Sequence, residues 1–389
     1  MTRTAATFPS PITESRSWLA GTTFPPERPL INVSQAAPLA PPPADMLQAM
    51  AQMVLNDPSI HRYGPDLGLP ALRAALAARW ARLNGGTVSA DQVAITSGCN
   101  QAYCAATASL CDEGDEIILP SPWYFNHRMW NDMAGITTVP LALDDTLIPD
   151  PAAAAALITP RTRAIVLVTP NNPTGVEYPE GVVRAFYDLA KAHGIALILD
   201  ETYRDFDSRS APAHGLFALR DWDHTLIHLY SFSKAYRLPG HRVGAVTTAP
   251  ARLFEIEKFI DSMTICPSQL GQNAALWGIE HLDGWLAGER DEILRRRQAV
   301  IDGFAPLAAQ GWRLLGCGAY FAYVAHPFAM ASDILARRLV EEASILMLPG
   351  TMFTAPGDTG GQRQLRIAFA NIDAAQITEL FRRLTSYRP

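Results

Sequence analysis

The chain has 389 residues, 48% apolar and 18% charged, an ordinary folded-protein composition with room for a large domain and a smaller satellite. A net charge of −6 argues against nucleic acid or an anionic membrane as main partner, and no apolar run approaches membrane-spanning length. Five cysteines without Cys-x-x-Cys spacing fit unpaired thiols, and with no basic-then-apolar leader the cytoplasm is the expected compartment.

Residues 1–44 are rich in Pro, Thr and Ser and read as an extended arm with little helix, docked through the strand-like run Leu30-Ile31-Asn32-Val33. Helical pattern follows from Pro43 to about Leu55 and from Leu69 to Leu83. Strands and helices then alternate. Strands are predicted at 93–96, 116–119, 137–141, 163–169, 195–199, 225–230 and 243–247, with helices after Asn100, from Tyr124 to Ala134 and from Pro179 to His193. The run Arg163 to Thr169 is nearly all apolar, as a strand covered on both faces should be. A long helix over 286–307, strands at 312–315 and 319–325, a helix near 331–343, a strand at 365–369 and a closing helix complete the chain.

That order predicts an α/β fold with a mainly parallel, doubly wound sheet in a large domain at 45–285. Residues 1–44 and 286–389 form a smaller α+β domain with the N-terminal arm. His-Glu-x-x-His and Gly-Lys-Ser/Thr are both absent, and no metal site is expected.

The 32 basic residues are 29 arginines and only three lysines, Lys191, Lys234 and Lys258. A primary amine, unlike a guanidinium, loses its proton readily and condenses with aldehydes. Lys234 follows a β-branched and aromatic run, lies close to Ser231 and Ser233 and precedes Arg242 by eight residues. The setting suits an imine to a phosphate-bearing aldehyde, which points to pyridoxal 5′-phosphate. Other polar clusters also fall at strand ends, where open α/β sheets bind ligands. They are Ser97-Gly98-Cys99-Asn100, Asn171-Asn172-Pro173-Thr174-Gly175 and Asp200-Glu201-Thr202-Tyr203.

Ser-Phe-Ser-Lys with Leu-Pro-Gly-x-Arg-x-Gly, Asn-Asn-Pro-Thr-Gly, Asp-Glu-x-Tyr and Arg-Ile-Ala-Phe-Ala occur here in one order. On these motifs the chain resembles the class I/II aminotransferases, pyridoxal-phosphate enzymes of fold type I. The resemblance implies an α-amino acid and a 2-oxo acid as substrates, exchanging an amino group in a ping-pong cycle. It gives Lys234 the covalent imine link to the coenzyme and the proton transfer, Asp200 the pyridine nitrogen, and Tyr203 with Asn172 the phenolic oxygen.

Arg242, Ser231, Ser233 and the Gly98-Cys99-Asn100 turn would hold the phosphate, and Tyr124 would stack on the ring. Tyr63 would reach the phosphate of a neighbouring subunit, which carries a homodimer with shared active sites. Arg366 would clamp the substrate α-carboxylate with Asn172. Ala36, in Ser34-Gln35-Ala36-Ala37-Pro38, stands where many relatives have glycine and adds a methyl near that carboxylate. β-Elimination by a C–S lyase is the alternative on the same fold. A DNA-binding regulator is disfavoured by the acidic charge. Trp18, Phe24 and Trp123 hint at an apolar or aromatic substrate side chain, and equally at core.

Overall fold

The computed structural model describes residues 2–210 and 212–389. Thirteen strands are present among them: β1 (Ile31–Asn32), β2 (Val93–Thr96), β3 (Glu116–Ser121), β4 (Thr137–Ala142), β5 (Thr162–Val168), β6 (Ala196–Asp200), β7 (Leu226–Ser231), β8 (Gly244–Thr247), β9 (Arg313–Gly318), β10 (Phe321–Ala325), β11 (Ile345–Leu346), β12 (Leu348–Pro349) and β13 (Gln364–Ile367).

Seven strands make one sheet in the order β2-β8-β7-β6-β5-β3-β4. Only β8 runs against its neighbours. Strands β5 to β7 are buried almost throughout, matching their unbroken apolar sequences. The helices over them obey a 3.6-residue period. Glu180–Ala192 turns Val183, Phe186, Tyr187 and Ala190 inward, each large apolar side chain contributing about 1.5–3 kcal/mol when fully covered. A second, antiparallel sheet has the order β12-β13-β10-β9.

Three expectations need correction. The N-terminal arm is not mainly extended, since helices occupy Arg3–Ala6 and Pro11–Ser17. The Thr2 hydroxyl caps the first, and Pro11 starts the second, where its missing N–H costs nothing. The long helix is Asp283–Gly303 and stops short of Leu307, because Pro306 cannot donate to the ladder; Ala305–Ala308 continues as a separate turn. Helices Pro250–Thr264 and Gln269–His281, and strands β11 and β12, had no counterpart in the sequence reading. The docking run did form a strand: β1 pairs in parallel with β11, placing the arm beside a segment more than 300 residues away.

The loop after β5 packs backbone to backbone on the second sheet. A Cβ on Gly318 would collide with the Gly175 carbonyl, and one on Gly316 with the Thr174 carbonyl. Gly318→Ala is therefore expected to destabilise the protein by about 1–3 kcal/mol, read as a lower thermal midpoint. An unchanged midpoint would show that the two segments separate freely.

Candidate active site

The carboxyl ends of β5, β6 and β7 open on a cavity of about 370 Å³. Hollows of about 450 and 470 Å³ lie elsewhere, but neither gathers the strand-end residues. Ala36, Cys99, Asn100, Tyr124, Asn172, Asp200, Tyr203, Ser231, Ser233, Lys234, Arg242 and Arg366 all border the 370 Å³ cavity. The loops after β5, β6 and β7 meet there because these adjacent strands run the same way, and the turn after β2 joins them.

Lys234 sits on the one-turn helix Phe232–Ala235 directly after β7, whose end residue Ser231 caps it by accepting from the Ser233 amide at 3.2 Å. Its Nζ donates to the Ala36 carbonyl at 2.6 Å. Burial first, then the charges of Arg242 and Arg366, lower its pKa to about 8. Roughly a tenth is thus free amine at pH 7, far more than for a lysine of ordinary pKa 10.5, and the free amine is the nucleophile.

Asp200 ends β6 and is 3% exposed. Its Oδ1 accepts from the Thr202 amide at 2.9 Å, and His127 Nε2 stands 3.4 Å from Oδ2. Burial alone would raise its pKa; the His127 and Thr202 donors outweigh that and hold it below the usual carboxylate value. Its neighbour Glu201 faces the other way, toward Arg204 at 2.9 Å and His228 at 2.8 Å.

His127 is a site residue that the sequence reading missed. It lies on helix Phe125–Ala134, stacked on Tyr103 with ring centroids 3.9 Å apart. Its only local signal is a three-residue offset from Tyr124, which core histidines share.

Arg242 donates through Nη1 to the Ser233 hydroxyl at 3.3 Å and the Pro239 carbonyl at 3.1 Å. Gly98, at φ 87°, precedes helix Cys99–Ala108, and a Cβ there would run into the Arg242 guanidinium. Gly244 likewise lies against the Cys99 amide. The first-turn amides of Cys99 and Asn100 are of the kind a helix cannot bond internally. Burial, then the nearby Asp200, push the Cys99 thiol well up, so it is a neutral thiol.

Arg366 lies on β13 and is 2% exposed. It donates to Asn172 Oδ1 at 2.8 Å and to the Ser34 carbonyl. Its guanidinium sits between Phe321 and Phe353, 5.0 and 4.8 Å from their centroids. Burial lowers its pKa to about 10, so it stays a cation at neutral pH, and its Nε is buried without a partner.

Tyr203 is buried, with its phenol pushed well up by burial; the Tyr124 hydroxyl donates to Asn100 Oδ1 at 3.3 Å. Tyr63 is 79% exposed and does not border the cavity of its own chain. Trp18, Phe24 and Trp123 do not border it either; Trp18 packs under Arg337.

The donor set fits pyridoxal 5′-phosphate. Backbone amides, two serine hydroxyls and one guanidinium suit a phosphate dianion, and two glycines leave the room that side chains would take. A buried carboxylate suits a protonated ring nitrogen, and a low-pKa amine suits an aldehyde.

The sequence model of the family described as "Aminotransferase class I and II" matches residues 28–384. "Aromatic aminotransferase ISS1" of Arabidopsis thaliana is 29% identical over 98% of this chain and 94% of its own length. "Probable aspartate/prephenate aminotransferase" of Thermus aquaticus is 31% identical over 76% of this chain and 77% of its own. Among solved structures, an aspartate aminotransferase of Thermus thermophilus superposes with a TM-score of 0.88 over 99% of this chain and 98% of its own, at 24% identity.

Proposed function

Since this chain belongs to the class I and II aminotransferase family, we propose that Lys234, Asp200 and Tyr203 are the catalytic residues of a pyridoxal-phosphate enzyme exchanging an amino group between an α-amino acid and a 2-oxo acid. The observation carrying this assignment is one cavity bordered by a lysine of pKa about 8, a buried carboxylate and a buried arginine.

When bound, pyridoxal 5′-phosphate supplies an aldehyde that condenses with amines and a ring that accepts the electron pair left at the substrate Cα. Arg242, Ser231, Ser233 and the Gly98-Cys99-Asn100 turn would hold the phosphate. Asp200, kept ionised by His127 and Thr202, would keep the ring nitrogen protonated. Tyr124 would cover one ring face, and Tyr203 and Asn172 would donate to the phenolic oxygen. Arg366 would grip the α-carboxylate through its fork, and its unpartnered Nε gives it a donor to spare. Lys234 Nζ would then take the proton from the substrate Cα and return it to the coenzyme's former aldehyde carbon, two bonds away.

The homodimer is part of the same reading. Tyr63 at 79% exposure, Leu55 at 76% and Met263 at 63% are large apolar side chains in water. The Gly64 amide donates to Cys266 Sγ at 3.3 Å, bringing the 63–64 turn beside the end of helix Pro250–Thr264. Exposed apolar groups around one tyrosine suit a second copy of the chain, with Tyr63 entering the partner's phosphate site. Five free cysteines agree with a cytoplasmic protein, and among the described residues no helix is long and apolar enough to cross a membrane. The relatives are named for aromatic and for aspartate or prephenate transfer, so family membership leaves the donor open.

Two measurements test the reading. An amino acid alone should change the coenzyme absorbance stoichiometrically and release one equivalent of its 2-oxo acid; continuous release of pyruvate and ammonia without an acceptor would mean elimination instead. Covalent capture of the coenzyme by apoprotein should accelerate as pH rises through about 8, where Lys234 loses its proton, and level off above that. A rate still climbing steeply toward 10.5, the ordinary lysine value, would contradict the lowered pKa.

A further inference from the structure

We propose that the hollow of about 450 Å³ at the amino ends of β5, β6 and β7 is a second binding site, which takes a small organic phosphate monoester. It lies on the sheet edge opposite the coenzyme cavity, since the three strands run the same way. Its size falls within the roughly 300–1,000 Å³ of small-molecule sites. Arg163, Arg252, His193 and His224 border it, and among the described residues no carboxylate does.

The key cation is Arg252. It is the third residue of helix Pro250–Thr264, where the positive end of the helix opposes a cation. Its Nη2 donates to the His224 carbonyl at 3.1 Å, and its Nε is buried without a partner. Burial lowers its pKa and the charge of Asp223 offsets part of that, yet Asp223 accepts from Gln92 at 2.7 Å and not from Arg252. A buried donor without an acceptor is costly, and so is a desolvated cation without a bonded counter-ion. An anion in the hollow relieves both.

The surroundings select the kind of anion. Asp115 and Glu116, around the start of β3, are neutralised by Arg163 and Arg161, each pair at 3.0 Å. Arg163 therefore adds N–H donors rather than net charge, and the exposed His193 and His224 add imidazole nitrogens. Two guanidiniums and two imidazoles offer more donors than the two oxygens of a carboxylate need, and match the three terminal oxygens of a phosphate. The border also includes the apolar Leu110, Ile158 and Ile195, which would cover an organic group on the fourth oxygen. Bound there, the ester ties together the starts of three neighbouring strands and stabilises the fold by mass action.

The test uses full-length protein loaded with coenzyme and dialysed free of the excess, because the coenzyme is itself a phosphate monoester. Calorimetric titration with phenyl phosphate, in buffer without other oxyanions, should show saturable binding that depends on Arg252. Arg252→Gln should weaken it by about 10–100-fold, the scale of hydrogen bonds to a charged group, and leave amino-group transfer unchanged. Saturating phenyl phosphate should raise the thermal midpoint of the parent and not that of the variant. The Arg252-dependent binding of inorganic phosphate, which lacks the apolar body, and of benzoate, which brings one charge and two oxygens, should be roughly tenfold weaker.

Arg252→Lys, which keeps the charge and loses the fork, replaces Arg252→Gln if the latter does not fold, with a smaller loss in the same direction. No saturable binding of phenyl phosphate, or equal affinity in the parent and the Arg252 variant, would overturn the proposal. Inorganic phosphate or benzoate bound at Arg252 as tightly as the ester would overturn the assignment of the ligand class.

Discussion

Lys234→Ala is expected to lower single-turnover amino-group transfer by roughly 10⁵-fold or more, the scale set by holding a reacting base at its target. Substrate binding should persist, because Arg366 and Asn172 remain in place. Thermal stability of the coenzyme-free protein should fall little. Burial and two guanidiniums already disfavour the ammonium, so truncation removes an unfavourable charge along with the hydrogen bond to the Ala36 carbonyl. That combination separates a reacting amine from a structural one. A variant that transfers amino groups at even a hundredth of the parent rate would remove Lys234 from the reaction.

The second large effect belongs to Arg366. Replacement by glutamine should reduce kcat/KM for α-amino acids by about 10²–10³-fold, because truncating a buried charge pair costs about 2–5 kcal/mol. Arg366→Lys should recover part of the loss, since it restores charge without the two-pronged geometry. Amines lacking an α-carboxylate supply the control: their slow reaction should be nearly indifferent to either change. Equal losses for amino acids and such amines would mean that Arg366 serves only to dock Asn172 and the Ser34 carbonyl.

Most residues expected at the site border one cavity; they could be named because they fall in short motifs, several of them at the ends of predicted strands. Asp200 closes β6 and Lys234 follows its neighbour β7 on the one-turn helix Phe232–Ala235, so the parallel arrangement carries both to one edge. His127 could not be read this way. It reaches Asp200 from a helix 73 positions earlier, and its role exists only through that contact. The arm's helices escaped for a related reason: its Pro-rich composition suggested an extended chain, and the contacts that pin it are to residues 113, 132 and 337.

Local sequence determined the main strands and the amphipathic helices, since apolar periodicity is a property of consecutive residues, and its short motifs carry the resemblance that implies the coenzyme-site roles. Tertiary structure decided which groups change their proton affinity, what stands behind Asp200, and which side chains border the space left for substrate. Those outcomes depend on burial and on partners brought together from opposite ends of the chain, as when Arg366 meets Ser34 and Asn172, and no window of neighbouring residues contains them.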